Sequence, residues 1–283
     1  MLVPRFLDGP DGPVLAVGFV PAGWTERESA PIPWVLAVPP LFEELNKSRR
    51  TLALLGQALA RAGVGCLLPD LFGTGDSAGH LRDATWEGWH ENLGRAQAWL
   101  LERGATRIDA VALRGGALLA WDWLGASAIA VGRLALWQPI PSGRLLVNQL
   151  LRLRLAGALT GRAASETAED LRARLAADGW LEIAGYALPA GLLGRLEAAE
   201  LGAPHGQRIG SIDWYALIAT PDQPLPAAAT GCARAWSAAG LATEIHPVVG
   251  ESFWSSQEIV EGRALVAATV ARMTSGEALR EPA

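Results

Sequence analysis

The sequence predicts an α/β protein: a mostly parallel sheet covered by helices on both faces, with an inserted helical cap. Three observations predict it. Short apolar runs alternate with amphipathic stretches along most of the 283 residues, which is the pattern of repeated strand–helix units. Several of the runs, such as Val64–Pro69 and Leu134–Ile140, are almost wholly apolar, as strands buried on both faces must be. Finally, residues 142–205 break the rhythm with helical patches. The expected organisation is therefore a core of residues 1–141 and 206–275, a cap of residues 142–205, and a loose tail of residues 276–283.

In chain order, Pro4–Asp8 and Val14–Pro21 read as an antiparallel pair joined by the turn Gly9–Pro13. Trp34–Val38 is a third strand, stopped by Pro39-Pro40 because proline cannot donate to a ladder. The polar run Leu41–Arg50 reads as a loop, capped by Ser48 into a helix that extends to Ala62 and stops at Gly63. Val64–Pro69 empties into a glycine-punctuated turn, Asp70–Ser77. Thr85–Arg103 is helical, with Trp86, Trp89, Leu93, Ala96 and Leu100 at three- and four-residue spacing. The apolar run that opens Ile108–Trp121 is the next strand, and beyond the Gly115-Gly116 pair its helix reaches about Leu124. Leu134–Ile140 follows as a strand. The cap carries helical patches at Leu145–Leu159, Thr167–Ala177 and Leu181–Leu201, the only strand-like stretch being Leu181–Tyr186. Tyr215–Thr220 resumes the sheet, Ala228–Ala239 is a helix, Thr243–Val249 a last strand, and Ser256–Met273 a closing helix. In such sheets ligands sit beyond the carboxyl ends of the strands, and the polar loops fall on that edge.

Composition narrows the function classes. A net charge of −5 and an isoelectric point near 5.5 exclude a general nucleic-acid binder, which shows a basic face. Cys66 and Cys232 lie far apart in apolar or helical surroundings and read as free thiols. Pro4, Asp8, Pro10 and Asp11 interrupt any leader-like apolar run, and no apolar segment reaches the roughly 20 residues of a membrane span. The expectation is a cytoplasmic protein.

Two sets of residues carry a family resemblance. Pro69-Asp-Leu-Phe-Gly-Thr-Gly-Asp-Ser77, the strand order, and the frame Ala112-Leu113-Arg114-Gly115-Gly116 resemble the α/β-hydrolase superfamily. Within it, Pro39-Pro-Leu-Phe-Glu-Glu-Leu-Asn-Lys-Ser-Arg-Arg50, Trp137-Gln138-Pro139, Gln149-Leu-Leu-Arg-Leu-Arg154, Ala184-Gly185-Tyr186 and Phe253-Trp254 are similar to the "hydrolase 2, exosortase A system-associated" family. That resemblance spans residues 3–270 and implies a bacterial protein encoded alongside exosortase-type sorting and exopolysaccharide production.

The superfamily's chemistry uses a nucleophile on a sharp strand-to-helix turn, an acid, and a histidine base. Here the turn holds Arg114, which stays protonated and cannot attack. Asp222, in Thr220-Pro221-Asp222-Gln223-Pro224, stands where the resemblance places the acid. The base position, in Gly250-Glu251-Ser252-Phe253-Trp254, has no histidine. A triad works as a unit, so losing two members removes the mechanism.

Arg114 has two readings. With the Gly115 and Gly116 amides it is a place for a carboxylate or phosphate. Alternatively it is a structural arginine paired with Glu43 or Glu44 and filling the former oxyanion region, since burying an unpaired arginine is expensive. Asp70, Asp76 and Ser77 read as a structural turn lacking the lysine of a phosphate loop, and Ser77 has no neighbouring base. None of His80, His90, His205 and His246 has zinc-ligand spacing, so neither metal nor cofactor is expected. Trp86, Trp89 and Trp99 read as core, whereas Trp137, Trp180 and Trp254 are candidates for a pocket wall.

The expected ligand set is thus Arg114, Gly115, Gly116, Glu43, Glu44 and Trp254, receiving an anionic or acyl-bearing small molecule. Two alternatives stand beside it: an ester or thioester hydrolase of non-standard mechanism, and an interaction partner of inner-membrane sorting or polysaccharide machinery. Leu145–Leu159 with Arg144, Arg152 and Arg154 reads as a basic amphipathic helix that allows peripheral membrane association.

Overall fold

The computed structural model describes residues 1–26, 30–127, 129–158 and 166–275. The expected tail 276–283 and residues 159–165 of the cap lie outside the described residues. Strands β1 (Leu2–Leu7), β2 (Val14–Phe19) and β3 (Trp34–Val38) lead to helix α1 (Glu43–Arg61) and strand β4 (Gly65–Pro69). Helix α2 (Trp86–Glu102), strand β5 (Ile108–Leu113), helix α3 (Gly116–Ala126) and strand β6 (Ala130–Trp137) follow. The inserted segment holds α4 (Gly143–Ala158), α5 (Ala168–Asp178), a hairpin of β7 (Trp180–Ile183) and β8 (Tyr186–Pro189), and α6 (Ala190–Ala198). Strand β9 (Arg208–Ile218), α7 (Ala227–Ala238), β10 (Ala242–Val249) and α8 (Arg263–Thr274) complete the chain.

Eight strands form one sheet in the order β1-β2-β4-β3-β5-β6-β9-β10. The first two pairings, β1 with β2 and β2 with β4, are antiparallel, and the others are parallel. One buried cluster gathers Trp34, Trp86, Trp89, Trp121 and Trp236 with the insertion's Leu146 and Leu192. The second joins Leu52, Leu55, Leu59, Trp137, Tyr215, Phe253 and Trp254 with α8. Because successive strand residues point to opposite faces, Leu36 and Ala37 contribute to different clusters. The outer edge, β1, is blunted by its own sequence. Met1 and Val20 exchange backbone hydrogen bonds, so the alternate residues Leu2, Pro4 and Phe6 turn their backbone polar groups outward. Pro4 has no N–H to offer there, which discourages pairing with another chain.

Three helix expectations are corrected. Helix α1 begins at Glu43, not Ser48: Phe42, at φ 58°, turns the chain, and Glu43 and Glu44 fill the first turn where acidic residues suit the helix dipole. Ser48 is not at the helix start; it is buried within the helix and its Oγ has no hydrogen-bond partner among the described residues. The helix expected over Leu181–Leu201 is a hairpin followed by α6. Ala184 and Gly185 both take positive φ, as a two-residue hairpin turn requires. Residues along β7 alternate between exposed and buried, a period of two that excludes a helix. Finally, α8 starts at Arg263, not near Ser256. The preceding segment instead buries Phe253 and Trp254 against the sheet, and a side chain at Gly262 would collide with the Phe253 ring.

Among the described residues no helix is long and apolar enough to cross a membrane.

Candidate functional site

The turn between β5 and α3 is the centre of the carboxyl edge. Arg114 takes φ 54° there, a conformation that costs a non-glycine residue roughly 1 kcal/mol. The strain is held by its surroundings. The Arg114 N–H donates to the Trp137 carbonyl at 3.0 Å, and the Arg114 carbonyl accepts from Ala117 and Ile140. Gly116 lies so close to strand β3 that a Cβ would stand 2.1 Å from the Pro39 carbonyl oxygen. This is the sharp strand–turn–helix geometry on which hydrolases present a nucleophile, with a guanidinium in its place.

That guanidinium is bound on three sides. Nε donates to Glu44 Oε1 at 3.1 Å and Nη2 lies 3.1 Å from the same oxygen. Nη1 donates to the Gln138 carbonyl at 3.4 Å. The Trp254 ring lies beneath, its centre 4.9 Å from the guanidinium carbon, within cation–π range. Only 15% of the Arg114 side chain and 21% of the Glu44 side chain are exposed. Burial pushes the Glu44 carboxyl above the usual glutamate range, and Glu43 adds to the rise, while Arg114 and Lys47 pull the other way.

Of the two carboxylates the sequence offered, Glu44 is the partner of Arg114. Glu43 faces Lys47 at 2.7 Å instead. Gly115 faces the insertion: a Cβ on it would meet Leu146 of α4 at 2.6 Å and Leu41 at 3.3 Å. The space directly over the turn is therefore occupied by leucines. Cavities bounded by described residues open elsewhere, at the β1–α1 edge, between α1 and α8, beside the hairpin and after β10, and Arg114 lines none of these. On the hairpin side, about 410 Å³ opens between His80–Arg82 and Gly185–Ala187. The adjoining Tyr186 hydroxyl accepts from Asn46 Nδ2 at 2.9 Å.

Asp222 sits in an exposed turn after β9, and the histidine bonds of the structure go elsewhere. His246 Nε2 is 2.8 Å from Asp213 Oδ1, within β10 and β9. His90 faces Asp122 at 3.5 Å, and His205 contacts Gln207 and the Ala203 carbonyl. Ser77 is structural: its hydroxyl donates to the Asp70 carbonyl and accepts from Leu15 N–H. Asp70 is buried against Arg49, with contacts of 3.0 and 3.3 Å. Asp213, Glu244 and His246 offer donor atoms within 4.8 Å of one another. Arg133 and Arg272 already engage the Asp213 carboxylate, and Arg272 also pairs with Glu244, which leaves those donors poorly disposed toward a cation.

Gln138 is a participant the sequence did not single out for the site. It takes φ 40° at the end of β6, and its Oε1 accepts from the Leu217 N–H at 2.7 Å. This pins the carbonyl that receives Arg114. Its sequence signals were its place in the Trp137-Gln138-Pro139 motif of the family resemblance and its position as a polar residue before Pro139 at the end of an apolar run.

A mostly parallel, doubly covered sheet, a strained turn after its central strand, and an insertion over the carboxyl edge define an α/β enzyme-type scaffold. The chain has the α/β-hydrolase fold. It resembles Est1E from Butyrivibrio proteoclasticus, solved with ferulic acid bound, at 14% identity and TM-score 0.65 over 95% of this chain and 97% of that one. XC6422 from Xanthomonas campestris, an α/β serine hydrolase without a lid, matches at 14% identity and TM-score 0.54, over 96% and 94% of the two chains. Epoxide hydrolase A from Mycobacterium thermoresistibile matches at 16% identity and TM-score 0.55, covering 97% of this chain and 99% of that one. No family model and no curated relative matches the sequence.

Proposed function

We propose that this is a binding protein on an α/β-hydrolase fold, without Ser–His–Asp chemistry, whose site receives an anionic or acyl-bearing small molecule at Arg114. One observation carries the reading: the Arg114–Glu44 pair, braced by Trp254, stands where acyl transfer would need a nucleophile and its oxyanion donors. Attack at a carbonyl requires an electron pair, and a protonated guanidinium has none. A carboxylate in the oxyanion region would repel the developing charge. Among the described residues His246 pairs with Asp213 and His90 with Asp122, which supports a reading without a proton relay from Asp222. What the arrangement offers is a cation with fixed orientation and one apolar face, which suits a carboxylate or phosphate carried on an acyl chain.

The resemblance to exosortase A system-associated proteins supports a cytoplasmic role beside bacterial sorting or exopolysaccharide machinery. The test is direct. Purified protein treated with a fluorophosphonate probe should show no labelled serine by mass spectrometry and no turnover of aryl esters, while short-chain alkyl carboxylates and phosphates raise its melting temperature. A labelled serine with turnover would restore the hydrolase reading.

A further inference from the structure

Resting on that binding function, we propose that Arg114 accepts an anion only as Glu44 takes up a proton, so that ligand capture at this site is proton-coupled and tightens as the pH falls.

The geometry sets the terms. Glu44 occupies Nε and Nη2 of Arg114, and the Gln138 carbonyl takes Nη1. Trp254 covers one face of the guanidinium. An incoming anion has to displace Glu44 or share the guanidinium with it. One positive charge would then face two negative ones in a largely buried space, and the carboxylate is the group that can discharge. The other charged neighbours do not change this balance. On α1, Glu43 and Lys47 neutralise each other at 2.7 Å. Beside the turn, α4 and the loop after β3 bring the uncharged Leu146 and Leu41 against Gly115. The loop after β10 contributes the uncharged Trp254, and from the hairpin Tyr186 sits near Glu43 with its phenol protonated. Burial already holds Glu44 toward its neutral form. Protonated, it becomes a hydrogen-bond donor that an anion can accept from. The proton comes from solvent and stays on the Glu44 carboxyl; no bond is made or broken in the ligand.

The probe is 1-hexanesulfonate, an apolar-tailed anion that does not itself titrate, measured by calorimetry on the full chain between about pH 5.5 and about pH 8. Affinity should fall by up to about tenfold for each pH unit above the Glu44 pKa, and uptake of one proton per anion should show in buffers of differing ionisation enthalpy. Glu44→Gln should bind with an affinity independent of pH and without proton uptake, and Arg114→Gln should not bind at any pH. Binding by the wild-type chain with no proton uptake overturns this proposal and leaves the binding function standing. Absence of binding by both the wild type and Glu44→Gln across the whole range overturns the binding function itself. If Glu44→Gln fails to fold, the proton count on the wild-type chain still decides.

Discussion

The guanidinium of Arg114 and the indole of Trp254 are stacked, 4.9 Å from carbon to ring centre, and this joins the turn after β5 to the loop after β10. In α/β-hydrolases a turn of this kind carries the nucleophile, and residues 250–254 form the loop in which the sequence led us to expect the base. Here they hold a permanent cation and an aromatic face, which attract each other but transfer no proton. Arg114→Ser should therefore leave hydrolysis of aryl esters at the buffer rate, because the new hydroxyl gains no histidine. The same substitution strands the Glu44 carboxylate. The pair is mostly but not wholly buried, so the loss should be on the order of 2 kcal/mol, read as a lower urea midpoint. Measurable esterase turnover in the single variant would mean that a base reaches the turn unseen.

The two glycines after Arg114 should respond differently to a methyl group. At Gly116 a Cβ would run into backbone, the Pro39 carbonyl oxygen at 2.1 Å and that of Val38 at 3.1 Å, and backbone of a central strand cannot step aside. Gly116→Ala should cost about 3 kcal/mol, the upper part of the usual overpacking range. At Gly115 the nearest atom is the Leu146 side-chain tip at 2.6 Å, which can rotate. Gly115→Ala should cost roughly 1 kcal/mol and chiefly loosen α4 against the core, visible as faster amide exchange in α4. Equal effects would show that the insertion is packed on the turn as rigidly as the sheet.

How far the sequence spoke for this arrangement depended on what interrupts its patterns. The third strand was legible to the residue because nothing polar breaks it. Strand β6 starts at Ala130, not Leu134, and β9 starts at Arg208, not Tyr215. In both, a charged residue stands inside the strand, Arg133 and Asp213, and each is buried only because the other is there. A residue that looks soluble alone is apolar in effect once paired across strands, and single-strand periodicity cannot see the partner. The site shows the same limit. That Arg114 needs a carboxylate follows from desolvation. Which of two adjacent glutamates supplies it depends on where α1 begins, since neighbours on a helix point about 100° apart. Trp254 was visible as a candidate pocket wall, but its stacking beneath the cation is a tertiary fact.

The Arg133–Asp213 pair makes a prediction about acid. Arg133 and Asp213 are 2% and 0% exposed and lie 3.1 Å apart, with His246 and Arg272 also on the carboxylate. Burial alone would raise the Asp213 pKa, but the hydrogen bond from His246 and the charges of Arg133 and Arg272 outweigh it, and the net shift is downward. A carboxyl whose folded pKa lies below its unfolded value near 4 stabilises the fold above that pH and loses the contribution as pH falls through the folded value. Asp213→Asn should cost about 3–5 kcal/mol at neutral pH, because it leaves a buried arginine without its counter-charge. The variant's urea midpoint should also fall less between about pH 5 and about pH 2 than that of the wild-type chain.

His90 gives the opposite side of the same linkage. It lies on α2 beside Asp122 of α3, which also accepts from the Trp86 indole at 2.6 Å and faces Arg195 of α6 at 3.7 Å. Burial lowers the His90 pKa and Arg195 lowers it further, against the pull of Asp122 and Glu87. A histidine whose folded pKa lies below its unfolded value near 6.5 binds fewer protons folded than unfolded. Stability should therefore be full above that unfolded pKa and decline as pH drops through it toward the folded value. Once charged, His90 competes with Arg195 for Asp122, and Arg195 is the residue by which α6 reaches both Asp122 and Glu87. The decline should accordingly start where the insertion meets the core. Native-state amide exchange should show α6 losing protection between about pH 6.5 and about pH 5, ahead of the central strands. His90→Gln should keep α6 protected over that interval, and equal loss of protection in the variant would place the responsible group elsewhere.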